Sequence, residues 1–311
     1  MSKSRLHARI GTFRQLEILL AVSESGSIAR ACEALHLSQP TVSMQLKKLA
    51  DSVGETLYET RGRKLYFTDA GQRLIAAGRE IFDVIGRLDS ELADLHGLKA
   101  GTLKLAVVTT AKYFIPHLLG PFCARFPEID VSFAIGNREQ VIERLERNDD
   151  DIYIFSHPPR ELDINVVQFA PNPLVVIASR AHPLAQRKRI NFGDIVNEPF
   201  LMRESGSGTR LAIETFLAQH HHTLNVRMTI SSNEAIKHAV AEGLGLAIVS
   251  QHSLAYSSAP DICVLNVKNF PIKNDWYLVS VRGKRMSKIA ETFVDYLQHE
   301  GVAMLRQKAS A

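Results

Sequence analysis

Apolar positions recur with a helical period near the start of the chain and predict three short helices between residues 12 and 54. Phe13, Leu16 and Leu20 share a face of the first. Ile28, Ala31, Cys32 and Leu35 stand at i, i+3, i+4 and i+7 in the second, with Ser27 as its N-cap. In the third, Ser38 caps the helix, Pro40 sits in the first turn, and Val42, Leu46, Leu49 and Val53 form one narrow apolar face. Two β-prone runs, 57–58 and 65–67, flank Arg61, Gly62, Arg63 and Lys64 and predict a hairpin with cations at its tip. A long helix is expected from Thr68 onward, with Asp69 as its cap and Gln72 three residues later. Leu74, Ile81, Leu88 and Leu95 repeat every seven residues, and Gly78, Ile85 and Leu92 follow the first three by four. At 1.5 Å per residue, about 28 residues make a rod of roughly 40 Å. Such a stripe between two domains predicts self-association; packing on the chain's own core is the competing reading.

Beyond Gly101 the pattern becomes strands alternating with helices. Strands are expected at 103–108, 130–135, 151–155, 174–179, 226–231, 245–250 and 276–281, and helices near 112–125, 138–147, 210–219, 233–242 and 287–299. This alternation predicts an α/β fold with largely parallel sheets, whose ligands sit beyond the carboxyl ends of strands.

Composition adjusts this picture in three places. The 311 residues leave room for about two domains of roughly 150, and 45% hydrophobic content supplies their cores. The net charge of +4 is mild, yet residues 1–70 carry ten basic against seven acidic side chains, so +3 of it lies in under a quarter of the chain. Cys32, Cys123 and Cys263 are odd in number and far apart, which fits neither a disulfide framework nor a zinc site and suits a reducing cytoplasm. No run approaches the 18 or more apolar residues of a membrane span, and the run from Ile18 to Val22 is too short for a signal sequence. A cytoplasmic protein without membrane contact is therefore expected.

The outward side of the third helix carries Pro40, Ser43, Met44, Lys47 and Lys48, with Ser38, Gln39 and Thr41 at its start. Glutamine can bond adenine in bidentate fashion, serine can bond base or phosphate, and the lysines can neutralise phosphates. Short helices joined by a tight turn, the last presenting such groups, suit a recognition helix in the major groove of double-stranded DNA. Arg61, Arg63 and Lys64 would reach the backbone or minor groove. In the second half, four helix starts stand at predicted strand ends: Thr109 with Thr110, Asn137, the run Ser205, Gly206, Ser207, Gly208 and Thr209, and Ser232 with Asn233. Each combines backbone N–H groups with short polar side chains, a pairing that binds carboxylate or phosphate. Arg203 and Arg210 flank the glycine-containing run with charge. Plainer readings fit other features: His220 to His222 as an exposed helix end, Arg187 to Arg189 as a solvated loop, Asp149 to Asp151 as a turn. No Gly-x-Ser-x-Gly, His-Glu-x-x-His or Gly-x-Gly-x-x-Gly motif is present, so no enzyme, cofactor or metal is expected.

Gly26 to Leu35, the run Ser38-Gln39-Pro40-Thr41-Val42-Ser43, and Leu57, Tyr58, Arg63 and Thr68-Asp69-Ala70-Gly71 together resemble the winged helix-turn-helix of LysR-type transcriptional regulators. Thr60 and Ala50 depart from that pattern, standing where the family usually has arginine and glutamate. Gly243 to Val249 extend the resemblance over about residues 1–300. It implies an N-terminal winged helix-turn-helix, mainly α, at 1–67, a linker and dimerisation helix at 68–100, and a periplasmic-binding-protein-like (type II) effector domain at 101–311. Subdomain I would hold about 101–171 and 268–305, and subdomain II about 172–267. Thr109 to Pro116, Asn137 to Glu139, Pro158, Pro159 and Arg203 to Arg210 are most similar to the branch controlling RuBisCO operons. That likeness implies a phosphorylated effector such as ribulose bisphosphate, or NADPH, and adds Ala111 and Pro159 to the effector set. The implied partners are operator DNA, a small anionic metabolite, RNA polymerase and further copies of the chain, as a dimer and then a tetramer. The rival reading is a small-anion binding protein whose N-terminal domain serves only oligomerisation.

Overall fold

The computed structural model describes residues 11–61, 64–95, 101–255 and 261–309, and the chain divides into two compact units, Met1–Leu88 and Asp89–Ala311. In the first, α1 (Phe13–Ser25), α2 (Ile28–Leu35) and α3 (Gln39–Val53) are followed by β1 (Tyr58–Arg61), β2 (Lys64–Phe67) and α4 (Asp69–Leu95). Leu16, Ile18, Leu19, Val22, Ala31, Val42, Leu46 and Leu49 form its core. The buried face of α1 differs from the expected one: Leu20 is only half-buried and Phe13 is 61% exposed, with its ring edge toward Phe82. Ile18, Leu19 and Val22 take the centre because α2 and α3 pack against that side.

Local signals account for the helix ends. Thr12 and Gln15 form a capping box at α1, and Ser38 accepts the Thr41 amide at α3. Ser27 occupies the N-cap position of α2 without a side-chain cap bond. The cap of α4 is Thr68 and not Asp69: its hydroxyl accepts the Gly71 amide at 3.1 Å and donates to the Thr56 carbonyl. Gly71 is demanded by the close approach of α4 to the hairpin, since a Cβ there would stand 2.0 Å from the Leu57 carbonyl oxygen. The heptad stripe of α4 has two fates. Leu74 and Ile75 are buried in the unit's own core, with Ile81 and Phe82 partly covered, whereas Val84, Ile85, Leu88 and Leu92 are exposed. Gly62 and Arg63, and the side chains of Arg61, Lys64 and Leu95, lie outside the described residues.

The second unit builds two lobes. Lobe I contains β3 (Gly101–Val108), α5 (Ile115–Arg125), β4 (Ile129–Gly136), α6 (Arg138–Glu146), β5 (Ile152–Phe155) and β6 (Ile164–Pro171). Lobe II contains β7 (Leu174–Ser179), β8 (Pro199–Arg203), α7 (Gly208–Gln219), β9 (Asn225–Ile230), α8 (Asn233–Ala241), β10 (Leu246–Ser250), α9 (His252–Ala255) and β11 (Ile262–Val264). The chain then returns to lobe I as β12 (Asp275–Val281), α10 (Lys288–Tyr296) and α11 (Val302–Ala309). The sheet orders are β4-β3-β5-β12-β6 and β11-β7-β10-β8-β9.

Neither sheet is largely parallel, contrary to expectation. β3 pairs parallel with β4 and β5, but β12 runs antiparallel to β5 and β6; β8 pairs parallel with β9 and β10, but β7 runs antiparallel to β10 and β11. The crossing segments enter each sheet from the other lobe and so reverse direction. Three strands, β6, β8 and β11, were missing from the sequence pattern. Asp150 is more than a turn residue: it is 1% exposed and accepts two hydrogen bonds from Arg144, at 2.8 and 2.9 Å. Phe114, Phe122, Trp276 and Phe293 fill lobe I, and Phe200, Phe216 and Leu246 fill one side of lobe II. At the crossing, Asn172 donates its amide to the Asn274 carbonyl at 2.7 Å and accepts from Ser250 through Oδ1 at 2.6 Å. Among the described residues no helix is long and apolar enough to cross a membrane, and no metal-ligating cluster is found.

Candidate nucleic-acid interface and ligand cleft

The turn between α2 and α3 is short because His36 adopts a left-handed conformation at φ 52° and Leu37 returns its amide to Cys32. Leu37 packs on the core and α3 is thereby held across α1. Burial of Val42, Leu46 and Leu49 leaves Ser38, Gln39, Pro40, Met44, Lys47 and Lys48 exposed, with Thr41 and Ser43 half-exposed. Ser38 Oγ and Thr41 Oγ1 are 2.8 Å apart, which keeps both hydroxyls at the helix start. Gln45 is the exception on this side, since its amide oxygen accepts from Gln15. Polar groups, two cations and the Met44 thioether thus share one convex face of a helix about 23 Å long at 1.5 Å per residue. The β1–β2 hairpin is antiparallel and pairs Arg61 with Lys64 at its end.

The second assembly lies where the carboxyl ends of strands in the two lobes face each other. Thr109 and Thr110 follow β3, Asn137 follows β4 and Ser156 follows β5; from lobe II, the 205–209 segment follows β8 and Asn233 opens α8. The lobes meet here. Thr110 Oγ1 is 3.5 Å from Thr209 Oγ1, and a Cβ on Gly208 would stand 2.9 Å from Ser156 Oγ. Gly206 has φ +82°, and a Cβ there would stand 2.7 Å from the Glu139 carboxylate. Thr110, Ala111, Pro159, Ser207, Thr209 and Asn233 are buried, Thr109, Asn137 and Gly206 are half-buried, and Ser205 is exposed.

Several of these groups already have work to do. Thr109 donates to the Gly136 carbonyl, and Asn137 caps α6 by accepting the Gln140 amide. Ala111 can offer only backbone. Arg203 is 2% exposed: Nε and one terminal nitrogen bond Glu204 at 2.7 and 2.8 Å, and the other bonds Asn233 Oδ1 at 2.6 Å. Arg210 pairs with Glu214 and donates to the Arg203 carbonyl. The two arginines expected to carry positive charge into the cleft are therefore neutralised by carboxylates of the same lobe.

Four side chains that periodicity did not assign complete the cleft. Lys112 and Tyr113 of lobe I hold Glu234 of α8, at 3.0 Å through the ammonium and 2.8 Å through the phenol. Lys237, also on α8, donates to the Ser253 carbonyl and lies 4.8 Å from the Tyr113 ring centre. Burial alone would raise the Glu234 carboxyl, but the hydrogen bonds from Tyr113 and Lys112 outweigh it and hold the group at about 2. Burial, with the bond to Glu234, pushes the Tyr113 phenol up, and burial pushes the Lys237 ammonium down. Arg138, at the first position of α6, donates from Nε to the His157 carbonyl at 2.7 Å. Desolvation and then the charges of Arg138 and Arg160 lower His157 to about 4, so its ring is neutral at physiological pH. Strand ends point to Arg138 and Ser156 by the rule that located Asn137; the clasp around Glu234 has no signal in the sequence, because its partners are 121 and 122 residues apart.

Two family profiles match the chain: the bacterial regulatory helix-turn-helix protein of the lysR family over residues 13–72, and the LysR substrate binding domain over 96–301. The HTH-type transcriptional activator CmpR of Synechocystis sp. is 49% identical over 287 residues, covering 92% of this chain and 94% of its own. The RuBisCO operon transcriptional regulator of Acidithiobacillus ferrooxidans is 44% identical, with 93% and 94% covered. Among solved structures, the regulatory domain of Synechocystis CcmR in complex with 2-PG is similar at 48% identity and a TM-score of 0.61, over 63% of this chain and 95% of that one. Full-length CbnR complexed with its target DNA shares the fold at 24% identity and a TM-score of 0.67, over 92% and 98%.

Proposed function

The chain belongs to the LysR family of DNA-binding transcriptional regulators, and on that premise we propose that it is a one-component switch for carbon-fixation genes, acting in the cytoplasm through a small phosphorylated anion. Residues 1–67 serve as the reader, 68–100 as the dimerising helix and 101–311 as the sensor. Gln39, Thr41, Ser43 and Met44 face base edges, while Ser38, Lys47, Lys48 and the hairpin cations Arg61, Arg63 and Lys64 meet phosphates. Pro40 sets the helix start. The exposed apolar stretch from Val84 to Leu92 is the surface for a second copy, which sets two recognition helices about one DNA turn, roughly 34 Å, apart. Regulation rather than catalysis is the reading.

One observation carries the effector site: two lobes bring strand-end hydroxyls and the N-terminus of α7 to one place, where anions are favoured by unpaired N–H groups and the helix dipole. The similar CcmR domain is in complex with 2-PG, a phosphorylated anion of suitable size. Binding between the lobes stabilises one lobe arrangement over another and thereby shifts the separation of the paired readers. An anion with equal affinity for both arrangements would shift nothing. DNase footprints on the chain's own upstream DNA, with and without saturating 2-phosphoglycolate, test this. A shortened or displaced footprint is expected, and identical footprints with proven ligand binding overturn it.

A further inference from the structure

We propose that Arg138, with Ser156 and Ser207, forms a phosphoryl subsite at the N-terminus of α7 and makes the cleft prefer phosphorylated over carboxylate-only anions. The proposal rests on the reading of the cleft as an effector site and deepens it.

Four observations converge. First, α7 is a 12-residue helix with no acidic residue in its first turn, so its opening N–H groups keep their positive potential. Second, Ser207 and Ser156 are each 5% exposed, come from opposite lobes, and make no side-chain hydrogen bond within the described residues. Ser207 occupies the N-cap position of α7 without capping it. Both residues are nine-tenths buried while neither hydroxyl oxygen is fully enclosed, so the two open onto the cleft at one helix start, where an acceptor oxygen can reach both. Third, the Arg138 side chain runs beside the same spot. Its Cδ is 3.8 Å, and Ser156 Oγ 2.9 Å, from where a Cβ on Gly208 would lie. The His157 carbonyl holds its Nε and orients the fork, while its terminal nitrogens take no carboxylate partner among the described residues.

Fourth, the nearby charges are held by protein groups or kept at a distance: Glu161 acts on Arg138 only through its field, without a hydrogen bond to it among the described residues. Arg203 and Arg210 are bound to Glu204 and Glu214. The Glu139 carboxylate stands against Gly206, two residues before Gly208 at the start of α7. A phosphoryl group offers three acceptor oxygens and nearly two charges, enough to engage a planar guanidinium fork, two hydroxyls and helix amides together. A carboxylate has two oxygens and one charge and leaves part of this set unmet. Absence of a side chain at Gly208 is what lets the three groups approach α7.

Calorimetric titration of the full-length protein with 2-phosphoglycolate and with malonate, a dicarboxylate of similar size, tests the assignment. Wild type is expected to bind 2-phosphoglycolate more tightly. Arg138→Gln should weaken it by about ten- to hundredfold, as loss of a charge-assisted bond implies, and leave malonate within about twofold. Arg138→Lys keeps the charge without the fork and should fall between; it decides the matter if the glutamine variant does not fold. Arg187→Gln, on an exposed loop, serves as the control that changes neither titration. Unchanged 2-phosphoglycolate affinity in Arg138→Gln, or equal loss of both ligands, overturns the subsite while the cleft remains an anion site. If wild type binds neither anion, the effector reading falls and the subsite with it.

Discussion

The reader and the sensor use arginine and lysine in opposite ways. On α3, Lys47 and Lys48 are exposed and have no carboxylate partner among the described residues, so their charge is available to any polyanion that approaches. In the cleft, Arg203 is 2% exposed and clasped by Glu204 and Asn233, so its charge shapes the pocket instead of reaching a ligand. Solvation explains the difference. A surface cation keeps its hydration and needs no partner, whereas a buried one must be paired to be tolerated at all. Counting cations therefore draws attention to α3, where they are exposed, and says little about the cleft, where Arg203 and Arg210 are paired and Arg138 bonds no carboxylate among the described residues.

The largest expected effect breaks that contrast directly. Arg203→Ala strands the Glu204 carboxylate and the Asn233 amide and should destabilise the sensor by about 3 to 5 kcal/mol, read by urea denaturation. Lys47→Ala should leave the same curve within about 0.5 kcal/mol; a comparable loss would mean that α3 is structural.

Acid should act on the sensor in a defined window. His157 sits at about 4 when folded against an ordinary 6.5, so the unfolded chain binds the extra proton between these values. Stability is then full above about pH 6.5 and falls as pH drops toward 4, by about 3 kcal/mol for this group. His157→Gln should flatten that slope, and an unchanged pH dependence would refute the assignment.

Specific DNA affinity is the next test. Gln39→Ala and Ser43→Ala should each cost about 1 to 3 kcal/mol at the cognate site with little change on unrelated DNA. Equal losses on both would recast these side chains as phosphate contacts. Smallest is the expected effect of Lys47→Ala on salt dependence: the slope of log affinity against log salt should shrink by about one, on all sequences alike.

Much of the reader is legible in the chain. Val42, Leu46 and Leu49 point inward because their spacing matches a helix turn, and the opposite face follows by exclusion. The misplaced face of α1 shows the limit: Phe13 has the right period but lies at the helix start, 61% exposed with its ring edge toward Phe82 of α4. The cap of α4 went to Thr68 because only its hydroxyl can both accept the Gly71 amide and donate to Thr56 across the hairpin. In the sensor, strand ends drew attention to Thr110, Asn137, Ser207 and Asn233, which the fold places at the facing strand ends of the two lobes. The antiparallel return of β12 left no local trace, since direction within a sheet depends on which lobe the chain comes from.

Periodicity and turn chemistry by themselves determined the helices of the reader, the long apolar stripe and the alternation of the sensor, because each depends on residues within a few positions of one another. Tertiary structure decided what surrounds each charge. Arg203 and Arg138 are equal in sequence, each a cation beside a strand or helix end. One finds a carboxylate in its own lobe, and the other, held by the His157 carbonyl, faces a helix N-terminus brought in by the opposite lobe. Arg203 takes the carboxylate of the very next residue, but the Asn233 amide that completes its clasp is 30 residues away and the α7 start beside Arg138 comes from the other lobe; packing sets those contacts, and no local pattern encodes them.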